Sequence, residues 1–267
     1  MKSELSVIVF LICLSLFGCI SDVEEIQFEV PFSDDDCVKI KQSGVVISFD
    51  DRKNIDAWNQ SRELFQKYNI KATFFVDKWH TLNESEISIL SNLSFDGHEI
   101  GYHTGNHSDY FKYLENNLSA RDYYELEVLQ GIETMKNYGF HPTSFAYPNG
   151  HRDNDIDALL FANFSSLRGT RTNVNGSNHW MTDCANFDVY RSYHFPHSDL
   201  NESDYQIRNI TIQSNLEKIK NNGTSIFVIN GHGIVSGGFP VSDQYLTDFF
   251  KYLNEEKIPT LLFSELK

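Results

Sequence analysis

Short apolar runs rich in β-branched and aromatic residues recur along most of the chain, and longer segments of helical periodicity separate them. Runs of this length and composition are typical of parallel strands that are buried on both faces. The predicted strands occupy 44–49, 71–76, 97–102, 143–147, 165–170, 188–194, 225–231 and 260–263. The predicted helices occupy 54–68, 85–93, 120–138, 155–163, 204–222 and 243–255.

The order of these elements is a strand followed by a helix, repeated about seven times. This order predicts one barrel-like (β/α) domain over residues 42–267 rather than two separate domains. The chain of 267 residues is long enough to bury a core of that size. Residues 172–186 are polar and rich in Gly and Asn, so we expect a loop there.

The first 19 residues have the pattern of an export signal rather than of a folded element. Leu5 to Phe17 is an apolar run that is too short for a comfortable membrane span. It is followed by Gly18-Cys19, which resembles a lipoprotein signal in which cleavage leaves Cys19 carrying lipid. An uncleaved N-terminal anchor is the alternative. Both predict an exported, membrane-anchored protein, with the acidic segment 20–41 as its tether.

The charge of the chain restricts its partners. Twenty-two Lys and Arg against 37 Asp and Glu give a net charge of −15. This balance argues against nucleic acid and against an anionic membrane surface as partners. It suits a cationic product or polymer, and it equally serves to keep the surface soluble.

Cysteine and asparagine usage agrees with export. If Cys13 is removed with the signal and Cys19 carries lipid, Cys37 and Cys184 remain as a candidate disulfide, although sequence does not show that they are close. Asn-x-Ser/Thr sites are abundant and indicate a glycosylated cell-surface protein. They begin at Asn59, Asn83, Asn92, Asn106, Asn117, Asn163, Asn175, Asn201, Asn209 and Asn222.

Several predicted strands end in groups that can bind a metal or transfer a proton. Asp50-Asp51 follow the first strand, and two acids there are either catalytic groups or N-terminal caps of the next helix. His103 and His107 follow the third strand, either as metal ligands or as surface histidines. His232 follows the strand 225–231. The carboxyl ends of barrel strands share one rim, so we expect these groups to meet.

Four segments together resemble a known family. They are Ser48-Phe49-Asp50-Asp51, His103-Thr104-Gly105-Asn106-His107, the stretch Phe145 to Gly150 that reads F-A-Y-P-N-G, and the apolar strand that ends in His232. In this order they resemble polysaccharide deacetylases with the NodB-homology domain, carbohydrate esterase family 4, over residues 42–267. The resemblance implies a single distorted (β/α)7-type barrel. It also implies metal-dependent hydrolysis of the N-acetyl group of an amino-sugar polysaccharide, with release of acetate.

The same resemblance implies roles for individual residues. Asp51, His103 and His107 would hold a divalent metal, most simply Zn²⁺, although other first-row ions accept the same ligands. Asp50 would be the general base and His232 the general acid. The backbone N–H of Tyr147 would stabilise the oxyanion. A glycan on Asn106 would compete with the metal, so we predict that this site is unmodified.

The chain departs from the family pattern at three places. Many members open the third motif with an arginine that pairs with the base, whereas here Arg152, Arg168 and Arg191 are the candidates, and we favour Arg168. Arg52 replaces the glycine that usually follows the first motif, so that it could narrow the rim or contact substrate. For the fourth motif, Trp180 and Asp183 are the candidates.

The leading hypothesis is therefore a monomeric, surface-anchored, metal-dependent deacetylase whose partner is an acetylated aminoglycan. One alternative keeps the fold but hydrolyses another non-peptide amide. The other is a glycan-binding lipoprotein without catalytic activity. The presence of a candidate base and acid beside the candidate metal ligands argues against a pure binder, which has no need of proton transfer.

Overall fold

The computed structural model describes residues 42–170, 181–182, 189–222 and 225–266. Within these residues the strands are β1 (Gly44–Asp50), β2 (Thr73–Val76), β3 (Glu99–Tyr102), β4 (Ser144–Ala146), β5 (Ser166–Thr170), β6 (Met181–Thr182), β7 (Val189–His194), β8 (Ile226–Gly231) and β9 (Thr260–Leu261). The predicted tether, Cys19, Cys37, Cys184, Trp180 and Asp183 lie outside the described residues.

The α-helices are α1 (Ile55–Gln60), α2 (Arg62–Lys67), α3 (Glu84–Phe95), α4 (Tyr110–Glu115), α5 (Ala120–Tyr123), α6 (Gln130–Asn137), α7 (Asn154–Leu160), α8 (Glu202–Asn222) and α9 (Asp243–Glu255). A π-helical segment, Tyr124–Leu129, joins α5 to α6. Short 3₁₀ turns occupy Arg52–Asn54, Trp79–Thr81, Pro148–Gly150 and Phe263–Glu265. In the described part of the chain, no helix is both long and apolar enough to cross a membrane.

Seven parallel strands close into a barrel, which confirms the predicted (β/α)7 fold. The order around the ring is β1-β2-β3-β4-β5-β7-β8, and β8 then returns to β1. The closing pair runs from Gly44 opposite Ile226 to Phe49 opposite Gly231. The short strand β6 adds to β8 in the antiparallel direction, and β9 adds to β1 in parallel.

The strand β1 shows why the barrel forms here. All seven of its residues are buried, as expected of a strand with packed groups on both sides. Val45, Ile47 and Phe49 contribute to the large apolar cluster shared with the surrounding helices, whereas Val46 belongs to a second, smaller cluster. Because successive side chains alternate between faces, Asp50 shares the face of Val46.

The helical layer differs from the predicted pattern at three positions. The predicted helix 54–68 is broken at Ser61 into α1 and α2. The predicted helix 120–138 contains the π-helical segment. Helix α4 was not predicted; its N-cap is Asp109, whose carboxylate accepts the Phe111 N–H.

Candidate metal centre

A strained turn directs Asp51 away from the barrel strand that precedes it. Its backbone lies at φ 76°, ψ 125°, in a region that is costly for a residue other than glycine. The Asp51 N–H donates to the Phe75 carbonyl at 3.1 Å, and the next residue, Arg52, donates its N–H to Asp77 Oδ1 at 2.6 Å. Asp51 makes no side-chain capping bond, so the alternative of two helix-capping acids is wrong for this residue.

The two histidines reach the same point from the end of β3. His103 is buried, and its Nδ1 lies 2.7 Å from the Ala146 carbonyl at the end of β4. His107 is partly exposed and has a left-handed backbone, with φ 60°. Thr104, between them, also has positive φ, 75°. Strained residues of this kind persist only where the surrounding structure holds them in place.

Asp51, His103 and His107 converge on one another. Each offers a ligand atom within 4.8 Å of the other two. Asp51 Oδ1 is 3.0 Å from Nε2 of His107 and 3.5 Å from Nε2 of His103. One carboxylate and two imidazoles form a ligand set that is common at catalytic metal sites with an open position.

The hydrogen bond of His103 shows that this set fits a cation. A carbonyl oxygen only accepts, so the bond to Ala146 places a proton on Nδ1 of His103. In the neutral ring, Nε2 then presents a lone pair towards the carboxylate of Asp51, where two acceptors would repel. The Oδ1 atom of Asp51 is buried and has no hydrogen-bond partner among the described residues. A metal ion or an added proton is needed between them.

The electrostatics of these side chains agree with this conclusion. Although burial favours the neutral acid, the adjacent rings of His103 and His107 hold the pKa of Asp51 well below its usual range. Burial lowers the pKa of His103, but the contact with Asp51 and the charge of Asp50 outweigh it, so the pKa of that ring is raised. The site therefore attracts positive charge.

Asp50 faces a different partner from its neighbour. The carboxylate accepts a hydrogen bond from Arg168 Nη2 at 2.7 Å, and both side chains are buried. Asn230 Nδ2 lies 3.4 Å from the same oxygen, Oδ2. The other oxygen, Oδ1, is buried without a hydrogen-bond partner in the described residues. One oxygen of Asp50 is thus fixed, and the other is able to accept a proton.

Arg168 is the arginine that lies beside the candidate base. It comes from β5, donates to Ser192 Oγ at 3.2 Å, and places its guanidinium carbon 5.2 Å from the centre of the Phe75 ring. Arg152, another candidate, instead binds Asp157 through Nε at 2.8 Å and through Nη2. Arg168, the favoured of the three candidate arginines, is therefore the one that pairs with Asp50.

Tyr147 does not have the predicted free N–H. Its backbone N–H donates to the Arg168 carbonyl at 2.9 Å, so the prediction of an oxyanion donor at this atom is wrong. Its buried hydroxyl donates to Asp157 at 2.6 Å. Tyr147 therefore connects β4 to β5 and α7, because the parallel ladder between β4 and β5 uses its amide.

His232 lies just beyond β8 and lines a cavity of about 200 Å³. The ring stacks on His194 with centroids 6.3 Å apart and meets the Phe239 ring at 5.5 Å. Burial lowers the pKa of His232, and the charges of Asp50 and Asp51 partly oppose this. Burial and the charge of His232 lower the pKa of His194 to about 3.

The structure adds residues that the sequence reasoning missed. His194 ends the predicted strand 188–194, so the rule used for His103 and His232 would have selected it. Asn230 is inside β8 and carried no such signal. The guanidinium of Arg52, which replaces the usual glycine, binds Glu86 at 2.8 Å.

Comparison with known proteins agrees with the fold. Residues 38–163 match the polysaccharide deacetylase family. The uncharacterized protein YlxY of Bacillus subtilis is 34% identical over 89 residues, which are 33% of this chain and 25% of YlxY. The chain thus spans about a quarter of the length of this curated relative.

Solved structures share the fold at low sequence identity. The chitin deacetylase of the fungal pathogen Colletotrichum lindemuthianum has a TM-score of 0.57 and 17% identity, over 86% of this chain and 88% of that one. A pseudoenzyme of carbohydrate esterase family 4 from Bacillus anthracis has a TM-score of 0.55 and 12% identity, over 85% of this chain and 66% of that one. The match of residues 38–163 to the polysaccharide deacetylase family, and the fold shared with these solved structures, agree with the resemblance that the four sequence segments show.

Proposed function

We propose that the protein is a metal-dependent deacetylase that removes the N-acetyl group from an amino-sugar polysaccharide. The observation that carries the proposal is the convergence of Asp51, His103 and His107 beside a second buried carboxylate, Asp50, which is paired with Arg168. The three ligands accept Zn²⁺ and other first-row divalent ions. Bound there, such an ion would lower the pKa of a water molecule and polarise the acetyl oxygen.

The residues of the chain account for the proton transfers. Asp50 accepts a proton from the attacking water at Oδ1, while Arg168 stabilises the carboxylate charge through Oδ2. The new C–O bond forms as the amide C–N bond breaks, and the leaving nitrogen needs a proton. His232 donates that proton; burial lowers its pKa, and the charges of Asp50 and Asp51 oppose this effect and favour the protonated ring. The products are acetate and a free amino sugar.

The N-terminal pattern supports a location for this activity. An apolar run ending in Gly18-Cys19, followed by an acidic tether, favours export and anchoring at the cell surface, through lipid on Cys19 or through an uncleaved signal. The many Asn-x-Ser/Thr sequences agree with an exported protein. We propose that the monomer acts there on an acetylated aminoglycan.

A second candidate is a glycan-binding protein without hydrolytic activity. The observation that favours it is the Tyr147 N–H, which is held by the Arg168 carbonyl and is not available to an oxyanion. A binder of this kind would retain affinity for the acetylated polymer without releasing acetate. A hydrolase of another amide would instead release a different acid.

Metal content and acetate release test the proposal together. The purified full chain is loaded with Zn²⁺, and acetate is measured with oligomers of N-acetylglucosamine and a panel of other acetylated glycans. We expect Asp50→Asn to abolish acetate release while the metal stays bound, and Asp51→Asn to lose both. Asp56→Asn, an exposed acid on α1, is the matched control and should behave as wild type.

Loss of metal in Asp50→Asn would mean that the two aspartates have exchanged roles. Wild-type protein that binds a glycan but releases no acetate would favour the second candidate. Wild-type protein that neither binds a divalent metal nor releases acetate from any glycan in the panel would contradict the proposal that the protein is an enzyme.

A further inference from the structure

A buried carboxylate lies directly beneath the turn that joins the two histidines. Glu127 is 1% exposed and belongs to the π-helical segment Tyr124–Leu129, on the outer layer of the barrel. It is 20 positions beyond the nearer histidine, His107, and it touches neither the candidate metal ligands nor the candidate base in any described contact. The proposed reaction gives it no role.

The side chain of Glu127 accepts hydrogen bonds from the turn on both of its oxygens. Oε2 accepts the backbone N–H of Asn106 at 2.8 Å, and Oε1 accepts Nδ2 of the same residue at 3.0 Å. Oε1 also accepts the hydroxyls of Ser108 and Tyr113, each at 2.8 Å. Asn106 and Ser108 are the two residues that flank His107.

The backbone of Glu127 holds the first half of the same turn. Its carbonyl oxygen accepts the Gly105 N–H at 2.7 Å and the Tyr102 hydroxyl at 2.6 Å. A carbonyl oxygen has two lone pairs, so two donors outside the helix use both of them. π-Helical segments are rare and occur frequently at functional sites, and here the segment turns Glu127 towards the turn.

Burial of the Glu127 carboxylate is unfavourable, so a glutamate is not the residue expected at this position if its only role were packing. Among the residues that the structure describes, Glu127 has no salt bridge to a Lys, Arg or His side chain, and its partners are neutral donors. A buried carboxylate is expensive unless several donors are aimed at it. Four such hydrogen bonds, three from the turn and one from Tyr113 in α4, meet this requirement, and the three from the turn also fix its shape.

The turn needs an external restraint because its backbone is strained. Thr104 and His107 both have positive φ, 75° and 60°. Residues other than glycine in this conformation are strained, and they persist only where surrounding contacts hold them in place. The left-handed conformation of His107 places its Nε2 3.0 Å from Asp51 Oδ1. The hydrogen bonds that Glu127 accepts from Asn106 and Ser108, on either side of His107, are suited to hold that conformation.

We propose that Glu127 is a positioning residue of the metal centre: it holds the turn 104–108 so that His107 faces Asp51. The inference rests on the proposed function, because it requires His107 to be a metal ligand. Partners of this kind, one step removed from a ligand, commonly change metal affinity about 10–100-fold when they are altered.

Titration of the metal-free full chain with Co²⁺ tests the inference, since the visible absorption of Co²⁺ reports both affinity and ligand geometry. We expect Glu127→Gln to raise the Kd for Co²⁺ about 10–100-fold and to change the spectrum. Glu125→Gln is the matched control. It lies in the same segment, is exposed, and pairs with Arg121 on the surface, so its Kd and spectrum should equal those of wild type.

Tyr113→Phe is a milder variant that removes one hydroxyl from Glu127 and keeps the ring, so it remains informative if Glu127→Gln does not fold. We expect a smaller rise in the Kd and the same direction of spectral change. The melting temperature of each metal-free variant is measured in parallel.

A folded Glu127→Gln protein that melts at a lower temperature but binds Co²⁺ with wild-type affinity and spectrum would show a purely structural role and overturn the inference. The same holds for Tyr113→Phe if Glu127→Gln does not fold. Wild-type protein that fails to bind Co²⁺ would overturn the proposed function and this inference together.

Discussion

Asp50 and Asp51 are adjacent in the chain and chemically identical, yet the backbone gives them separate environments. Asp50 is the last residue of β1 and meets Arg168, whereas Asp51 begins a turn with positive φ and meets the two histidines. Alternation along the strand explains part of this difference, and the strained turn explains the rest. Two neighbouring carboxylates can thus serve as base and metal ligand without sharing a partner.

The buried pair of Asp50 and Arg168 leads to a prediction at this scale. Arg168→Met leaves the carboxylate of Asp50 buried without its cation, so we expect the free energy of unfolding to fall by about 3–5 kcal/mol. Asp50→Asn combined with Arg168→Met removes both charges and should cost less than the sum of the two single changes. Urea unfolding of the four proteins measures the coupling. Additive single effects would contradict a direct interaction.

At the scale of elements, the helical layer reaches the barrel by close contacts that sequence periodicity does not show. Helix α6 approaches the Tyr102 side chain of β3 closely at Gly131, where an added Cβ would overlap the tyrosine hydroxyl. That hydroxyl donates to the Glu127 carbonyl. The glycine therefore allows the contact between β3 and the π-helical segment that supports the histidine turn.

Gly131→Ala tests this packing. On helix propensity alone, alanine would stabilise α6 by about 1 kcal/mol. We expect the opposite, a loss of about 1–3 kcal/mol in the free energy of unfolding, because the new methyl group displaces Tyr102. Gln130→Ala, an exposed position in the same helix, is the control and should be neutral or slightly stabilising. A Gly131→Ala protein as stable as its control would show that the tyrosine moves without cost.

Across the whole molecule, closure of the barrel brings together groups that are far apart in the chain. The pairing of β8 with β1 places Ser48 opposite Asn230, and the chain reaches His232 just beyond that pair. Asp50 and Arg168 are 118 positions apart and meet at 2.7 Å. The centre therefore depends on the complete fold, and global unfolding removes it.

Global stability should depend on pH through His98, which is 5% exposed in the core. Burial, together with the charge of Lys71, lowers the pKa of this ring from 6.5 to about 4, and its Nδ1 accepts the Ala72 N–H at 3.2 Å. Between these two values the unfolded chain binds a proton that the folded protein excludes. Stability therefore falls as pH falls through this window and is retained above it.

Replacement of His98 isolates this contribution. We expect wild type to lose about 2 kcal/mol more than His98→Gln when the pH is lowered from 7 to 4.5. Gln can still accept the Ala72 N–H, and the carboxylates that titrate in this range are common to both proteins. Urea unfolding at several pH values gives the difference. Parallel pH profiles for the two proteins would show that the folded state accommodates a charged His98.

The sequence by itself determined the class of fold and most of the centre. Buried strands and amphipathic helices have distinct periods, so their alternation predicted a single barrel. The position of polar residues at strand ends predicted which side chains meet, because parallel strands place those ends on one rim. These residues are Asp50, Asp51, His103, His107 and His232. These are local patterns, and they can be recognised without knowing any contact between distant residues.

Only the tertiary structure decided which distant groups are partners. It placed Arg168 rather than Arg152 beside Asp50, and it committed the Tyr147 N–H to the ladder between β4 and β5. It also placed Glu127 beneath the histidine turn from the middle of a helix whose periodicity shows no sign of that role. Hydrogen bonds between elements depend on register and on closure of the barrel, and these are set by the packing of the whole chain.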